Sequence, residues 1–108
     1  MAGAIYLKPE TVALMTSDHI GPESGIAKAD IYFLGTHSGF GLGFAAHTSQ
    51  PPDEPWPVGD YGWNGLGGTF FFVDPKDDLF VLCMMQTPSH RGQIEQDLKA
   101  LVYRAMER

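Results

Sequence analysis

A chain of 108 residues with 44% hydrophobic and 12% aromatic content suits one small domain rather than several. Thirteen acidic residues against seven basic ones give a formal charge of -6, and no Lys/Arg cluster could neutralise a run of phosphates, so nucleic acid is excluded as a partner class. The single cysteine, Cys83, rules out an intramolecular disulfide, and no stretch approaches the ~20 apolar residues of a membrane span.

In chain order, Met1–Tyr6 has neither a basic region nor a long apolar one, so the chain reads as soluble with its compartment open; a piece of a longer protein would have lost any export signal. Lys8–Met15 carries Pro and Glu suited to a first helical turn, with Val12, Leu14 and Met15 apolar, which predicts a short helix ending near Asp18 or His19. Gly21–Gly35 has no sustained period and reads as a loop. Phe40–Ala46 alternates large apolar residues with glycine, as a strand with one nearly bare face would. Pro51, Pro52, Pro55 and Pro57 make Thr48–Gly59 an irregular connection. Tyr61–Gly65 and Thr69–Val73 are strand-like, Asp74–Asp78 is a solvated turn, and Leu79–Gln86 is the returning strand of a hairpin. Ile94, Leu98, Leu101, Val102 and Ala105 place one apolar face on a helix from about Gly92 to Glu107. There are no internal repeats. The fold class expected is α+β: a three-stranded antiparallel sheet over Gly39–Ala46, Tyr61–Val73 and Leu79–Gln86, with the C-terminal helix packed on one face.

Phe70–Val73 and Leu79–Met85 are apolar at every position, whereas a sheet with one wet face alternates apolar and polar residues. Both faces therefore need cover, and the terminal helix supplies one. Each large side chain left bare forgoes ~1.5–3 kcal/mol, so a missing domain or a second copy of the chain is expected over the other face.

Isolated motifs carry less. His19, His37, His47 and His90 lack paired metal spacing and read as solvated loop histidines; no metal or other cofactor is expected. In Gly35-Thr36-His37-Ser38-Gly39 the serine is one place too late for a nucleophile elbow. Phe40-Gly41-Leu42-Gly43 lacks the strand, turn and helix context of a dinucleotide loop, and Gly67-Gly68 suits a bulge or a close backbone approach. Cys83 reads as a buried thiol, Met84-Met85 as core filler, and Trp63, taken alone, as a core aromatic.

Taken together, Gly59-Asp60-Tyr61-Gly62-Trp63-Asn64-Gly65-Leu66-Gly67-Gly68-Thr69 and the hairpin through Lys76 resemble the third active-site box and following strands of serine hydrolases related to class C β-lactamases, a family of esterases and penicillin-binding-protein-like peptidases. Phe40–Phe44 and Thr11–Thr16 are similar to the segments leading to that box, so the resemblance spans nearly the whole chain. It implies that residues 1–108 are the C-terminal portion of a β-lactamase-like domain, without the region that bears the nucleophile. The family's Ser-x-x-Lys is missing, since Ile20, Ala27, Gly41, Pro52 and Gly92 stand three places after the five serines. Its Tyr-x-Asn is missing too, since Lys8, Leu34, Trp63 and Ala105 stand two places after the tyrosines.

By resemblance, Trp63-Asn64-Gly65 takes the place of Lys-Thr-Gly and binds substrate, while the Leu66 N–H is one oxyanion donor. Such donors are commonly worth several kcal/mol of barrier in acyl transfer. Glycine at position 65 would let substrate approach the strand without a Cβ in the way. Trp63 has no charge to hold a lactam carboxylate, which favours an esterase-like parent. Two functions follow. One is a share in hydrolysis of an ester, amide or lactam through a serine outside this chain, the chain alone being inactive. The other is a non-catalytic module that self-associates or binds protein through its bare sheet face.

Overall fold

The computed structural model describes residues 5–26, 37–50 and 58–107. The elements are α1 (Pro9–Thr16), β1 (Ser38–Phe40), β2 (Ala45–His47), β3 (Tyr61–Asn64), β4 (Phe70–Asp74), β5 (Leu79–Cys83) and α2 (Arg91–Met106), with short 3-10 turns at Pro22–Ser24 and Pro88–His90. The strands form one antiparallel meander in sequence order, β1-β2-β3-β4-β5.

The architecture is α+β with an antiparallel sheet and a C-terminal helix, but the sheet has five strands where three were expected. Two of the expected strands are each a hairpin. Gly39–Ala46 breaks because Gly43 takes φ +119° and the Gly41 N–H donates to the Phe44 carbonyl at 2.8 Å, folding β1 back on β2. Tyr61–Val73 breaks where the Gly65 N–H donates to the Thr69 carbonyl at 2.7 Å. Gly43, expected within a single strand, thus serves as a turn residue. Residues 27–36 and 51–57, within the expected loop and the proline-rich connection, lie outside the described residues.

Register assigns the faces. Phe70, Phe72 and Asp74 pair with Cys83, Val81 and Leu79, and all of them turn toward α2. There Phe70, Phe72 and Tyr103 form the buried cluster, with Leu98, Ala100 and Val102 of α2 packed against it. Phe72 and Tyr103 stack with ring centroids 6.1 Å apart. The opposite face carries Trp63 and Phe71, paired in register, with Phe80 and Leu82 beside them. Phe44 packs its ring on Tyr61 at 5.2 Å and on Phe71 at 6.2 Å, covering the β3 side. Nothing among the described residues covers the β5 side: Phe80, Leu82 and Met84 are 75%, 62% and 75% exposed.

Beyond the sheet, α1 buries none of its residues. It is joined to β1 by backbone bonds instead: Leu42 N–H to Met15 O at 2.9 Å and His19 N–H to Phe40 O at 2.8 Å. Asp18 Oδ1 also accepts from the Phe40 and Ile20 amides at 3.1 and 3.0 Å. No helix among the described residues is long and apolar enough to cross a membrane.

Candidate functional site

The end of β3 presents alternate residues to opposite sides, because strand side chains alternate. Trp63 stands on the face away from α2, edge-on to Phe40 with centroids 5.4 Å apart. Asn64 goes the other way, and its Nδ2 donates to Glu95 Oε2 of α2 at 3.3 Å. Gly65 follows, its carbonyl accepting from Arg91 Nη1 at 3.2 Å. A Cβ at position 65 would lie 2.7 Å from Thr69 Oγ1, so a larger residue there would have to displace the Thr69 side chain of its own hairpin. Leu66 begins the turn with its side chain 78% exposed, and its N–H has no hydrogen-bond partner among the described residues. Beside this segment an open, largely apolar groove of about 310 Å³ runs between Trp63, Phe71, Leu82 and Met84.

Four α2 residues spaced by four, Arg91, Glu95, Lys99 and Tyr103, form a stripe facing the sheet. Each reaches a polar partner: Gly65 O, Asn64, Asp60 and Asp74 respectively. The expected apolar stripe is only partly used: Leu98 and Val102 pack on the core, while Leu101 and Ala105 face solvent. Asp74, expected in a solvated turn, is buried to 1% exposure. Its Oδ2 accepts the Tyr103 hydroxyl, and its Oδ1 accepts the Lys76 and Asp77 amides at 3.0 and 3.3 Å. Burial, then the bond to Asp74 and its charge, push the Tyr103 phenol above its ordinary range.

Asp60, itself buried, forms a second polar centre in the wall of a cavity of about 500 Å³ between β2, β3 and α2. Its Oδ1 accepts from His47 Nδ1 at 2.9 Å and its Oδ2 from Lys99 Nζ. His47 is therefore a half-buried strand residue with a carboxylate partner, not a solvated loop histidine. Burial pushes the Asp60 carboxyl up, but the His47 hydrogen bond and the Lys99 charge outweigh it and hold Asp60 below its usual range. Lys99 also lies 5.0 Å above the Phe72 ring. Ser38 pairs with His47 across the β1–β2 ladder and lines the same cavity. Both Asp60 oxygens are engaged, so the cluster ties β2 and β3 to α2. Its residues are far apart in sequence, and only the β1–β2 fold-back, hidden in an apparent single strand, could have signalled it.

No family model matches the chain. Two curated proteins of Mycobacterium tuberculosis do: the uncharacterized protein MT1414 of strain CDC 1551 / Oshkosh and protein Rv1367c of strain ATCC 25618 / H37Rv. Each is 34% identical over 108 aligned residues, which cover 93% of this chain and 25% of the relative. The chain thus spans about a quarter of the length of the curated relatives it matches.

Proposed function

We propose that the chain is the C-terminal sheet portion of a serine hydrolase of the β-lactamase-related, esterase-like class, lending its third box to acyl transfer by a serine on another part of a longer polypeptide. The observation that carries the reading is the Leu66 N–H, a backbone donor without a partner among the described residues, at the end of a strand whose Trp63 borders an apolar groove. Acyl transfer needs such a donor where the carbonyl oxygen becomes negative. In this reading Trp63 lines the acyl or alcohol pocket, Gly65 admits the substrate beside the strand, and Asn64 keeps the box in register from behind through Glu95. The relatives' fourfold greater length leaves room for a nucleophile-bearing region. The substrate is an ester, amide or lactam, and no cofactor enters.

The test is a chimera in which this chain replaces the matching quarter of the mycobacterial relative. It is expected to react covalently with a serine-directed phosphonate and to hydrolyse a chromogenic ester, with Trp63→Ala lowering kcat/KM at least tenfold, while the isolated chain does neither. No labelling of either the chimera or the intact relative refutes the reading. Turnover by the isolated chain that Ser38→Ala abolishes would move the nucleophile to the His47–Asp60 cavity.

A second reading, a non-catalytic module that associates through its bare face, is favoured by the exposure of Phe80, Leu82 and Met84.

A further inference from the structure

The two edges of the sheet are treated differently. At β1 the outer edge is occupied: the Phe40 N–H goes to Asp18 Oδ1 and the Phe40 carbonyl accepts from the His19 N–H. At β5 no described residue pairs with the outer edge. Natural edge strands are usually shielded by Lys, Pro, a bulge or an inward charge. The run Leu79–Met85 has no charged residue and no proline, and its pairing with β4 continues without a bulge.

We propose that β5 pairs antiparallel with β5 of a second copy, about a two-fold axis at Leu82, joining two five-stranded sheets into one of ten strands. The proposal does not depend on the hydrolase reading. Leu82 is the midpoint of the apolar run, so a two-fold there sets every residue of Leu79–Met85 against another residue of the same run. On the face away from α2, Phe80 lies opposite Met84 of the second copy and Leu82 opposite its own counterpart. These are the three most exposed apolar side chains of this edge, and a methionine sulfur against a ring edge is a favourable contact. On the α2 side, Val81 meets Cys83. The acidic turn is placed without conflict: Asp78 falls opposite Gln86 and Asp77 opposite Thr87. Centring the axis two residues earlier, on Phe80, would set Asp78 against Leu82 and Asp77 against Cys83. The resulting interface is isologous, with each copy donating and accepting the same strand.

Light scattering across a concentration series, followed by disulfide trapping, tests the pairing and its register. The wild-type chain is expected at twice its monomer mass. Phe80→Lys with Leu82→Lys should return the monomer mass with an unchanged circular-dichroism spectrum, since both side chains are exposed. In a Cys83→Ser background, Leu82→Cys should form a disulfide-linked dimer under mild oxidant, because residues opposite across an antiparallel pair have Cα atoms within disulfide range. Phe80→Cys in the same background should not, its partner being Met84. A monomer at every concentration, a dimer that survives both lysines, or trapping at position 80 as fast as at position 82 would overturn the proposal.

Discussion

Tyr103→Phe removes one oxygen atom and leaves the ring that stacks on Phe72. The hydroxyl donates to Asp74, a carboxylate 1% exposed, whose other oxygen is already shared by two backbone amides. A hydrogen bond to a buried charged acceptor contributes ~1.5–3 kcal/mol, and losing the donor also leaves Oδ2 desolvated without a partner. For a domain of this size that lowers the melting temperature by on the order of 10 °C. Urea unfolding followed by circular dichroism measures the difference, and pH supplies a second signature. Because folding raises the Tyr103 pKa, the stability linked to its proton is fully present below the unfolded value near 10.0 and is lost as pH climbs past it. Wild type should therefore weaken above about pH 10 more steeply than the variant. A loss under about 0.5 kcal/mol at neutral pH, with parallel alkaline limbs, would refute the claim that this bond holds α2 to β4.

Three further outcomes are expected. Asp60→Asn should destabilise by about 2–4 kcal/mol at pH 7, since it strips the carboxylate from both His47 and Lys99. Because folding lowers the Asp60 pKa, that advantage exists above the unfolded value of 3.8 and fades as pH falls below it, so the acid limbs of wild type and variant should converge in chemical denaturation. Gly62→Ala would place a Cβ 2.1 Å from the Phe71 carbonyl oxygen, a backbone atom that cannot yield, so a cost of roughly 3 kcal/mol or more, or failure to accumulate as folded protein, is expected on expression and thermal melting. Arg91→Ala frees the Gly65 carbonyl and should speed amide exchange at Gly65 and Gly68, the two amides that close the β3–β4 turn, at least several-fold by mass spectrometry, with little change at β5.

Hydrophobic runs and turn residues made the β4–β5 hairpin legible, because Phe70–Val73 and Leu79–Met85 flank a turn of Asp, Pro and Lys. The terminal helix was legible within a residue of its ends. The β1–β2 hairpin was not, since glycine between aromatics has the same composition in a strand as in a tight turn, and only Gly43's left-handed backbone separates the two. The polar stripe of α2 was hidden for a different reason. Arg91, Glu95, Lys99 and Tyr103 recur every four residues, but nothing in that spacing names their partners, Gly65, Asn64, Asp60 and Asp74, which only the tertiary structure brings beneath them. His47 and Asp74 were misread in the same way: a polar residue near a turn is usually wet, and burial becomes tolerable only once Asp60 and Tyr103 stand within hydrogen-bond reach.

The polar stripe also bears on where a site can lie. A helix held to a sheet by apolar contacts alone can slide, because those contacts are non-directional. Here α2 is fixed at four successive turns by directional bonds, and the two nearest its start, Arg91 to Gly65 and Glu95 to Asn64, grip the segment that ends β3. Both grips come from behind the sheet. They take up the Asn64 side chain and the Gly65 carbonyl, while Trp63 stands on the other face against Phe40. A backbone donor acts on developing charge only if it need not reorganise when the charge forms. Anchoring the strand end from its covered side would supply that rigidity to the proposed box without using Trp63. The open face of β3 and the outer edge of β5 meet in the apolar groove, which Trp63 and Phe71 line on one side and Leu82 and Met84 on the other. Association through β5 would bring a second copy against one wall of that groove, so the proposed dimer and the proposed acyl pocket share Leu82 and Met84.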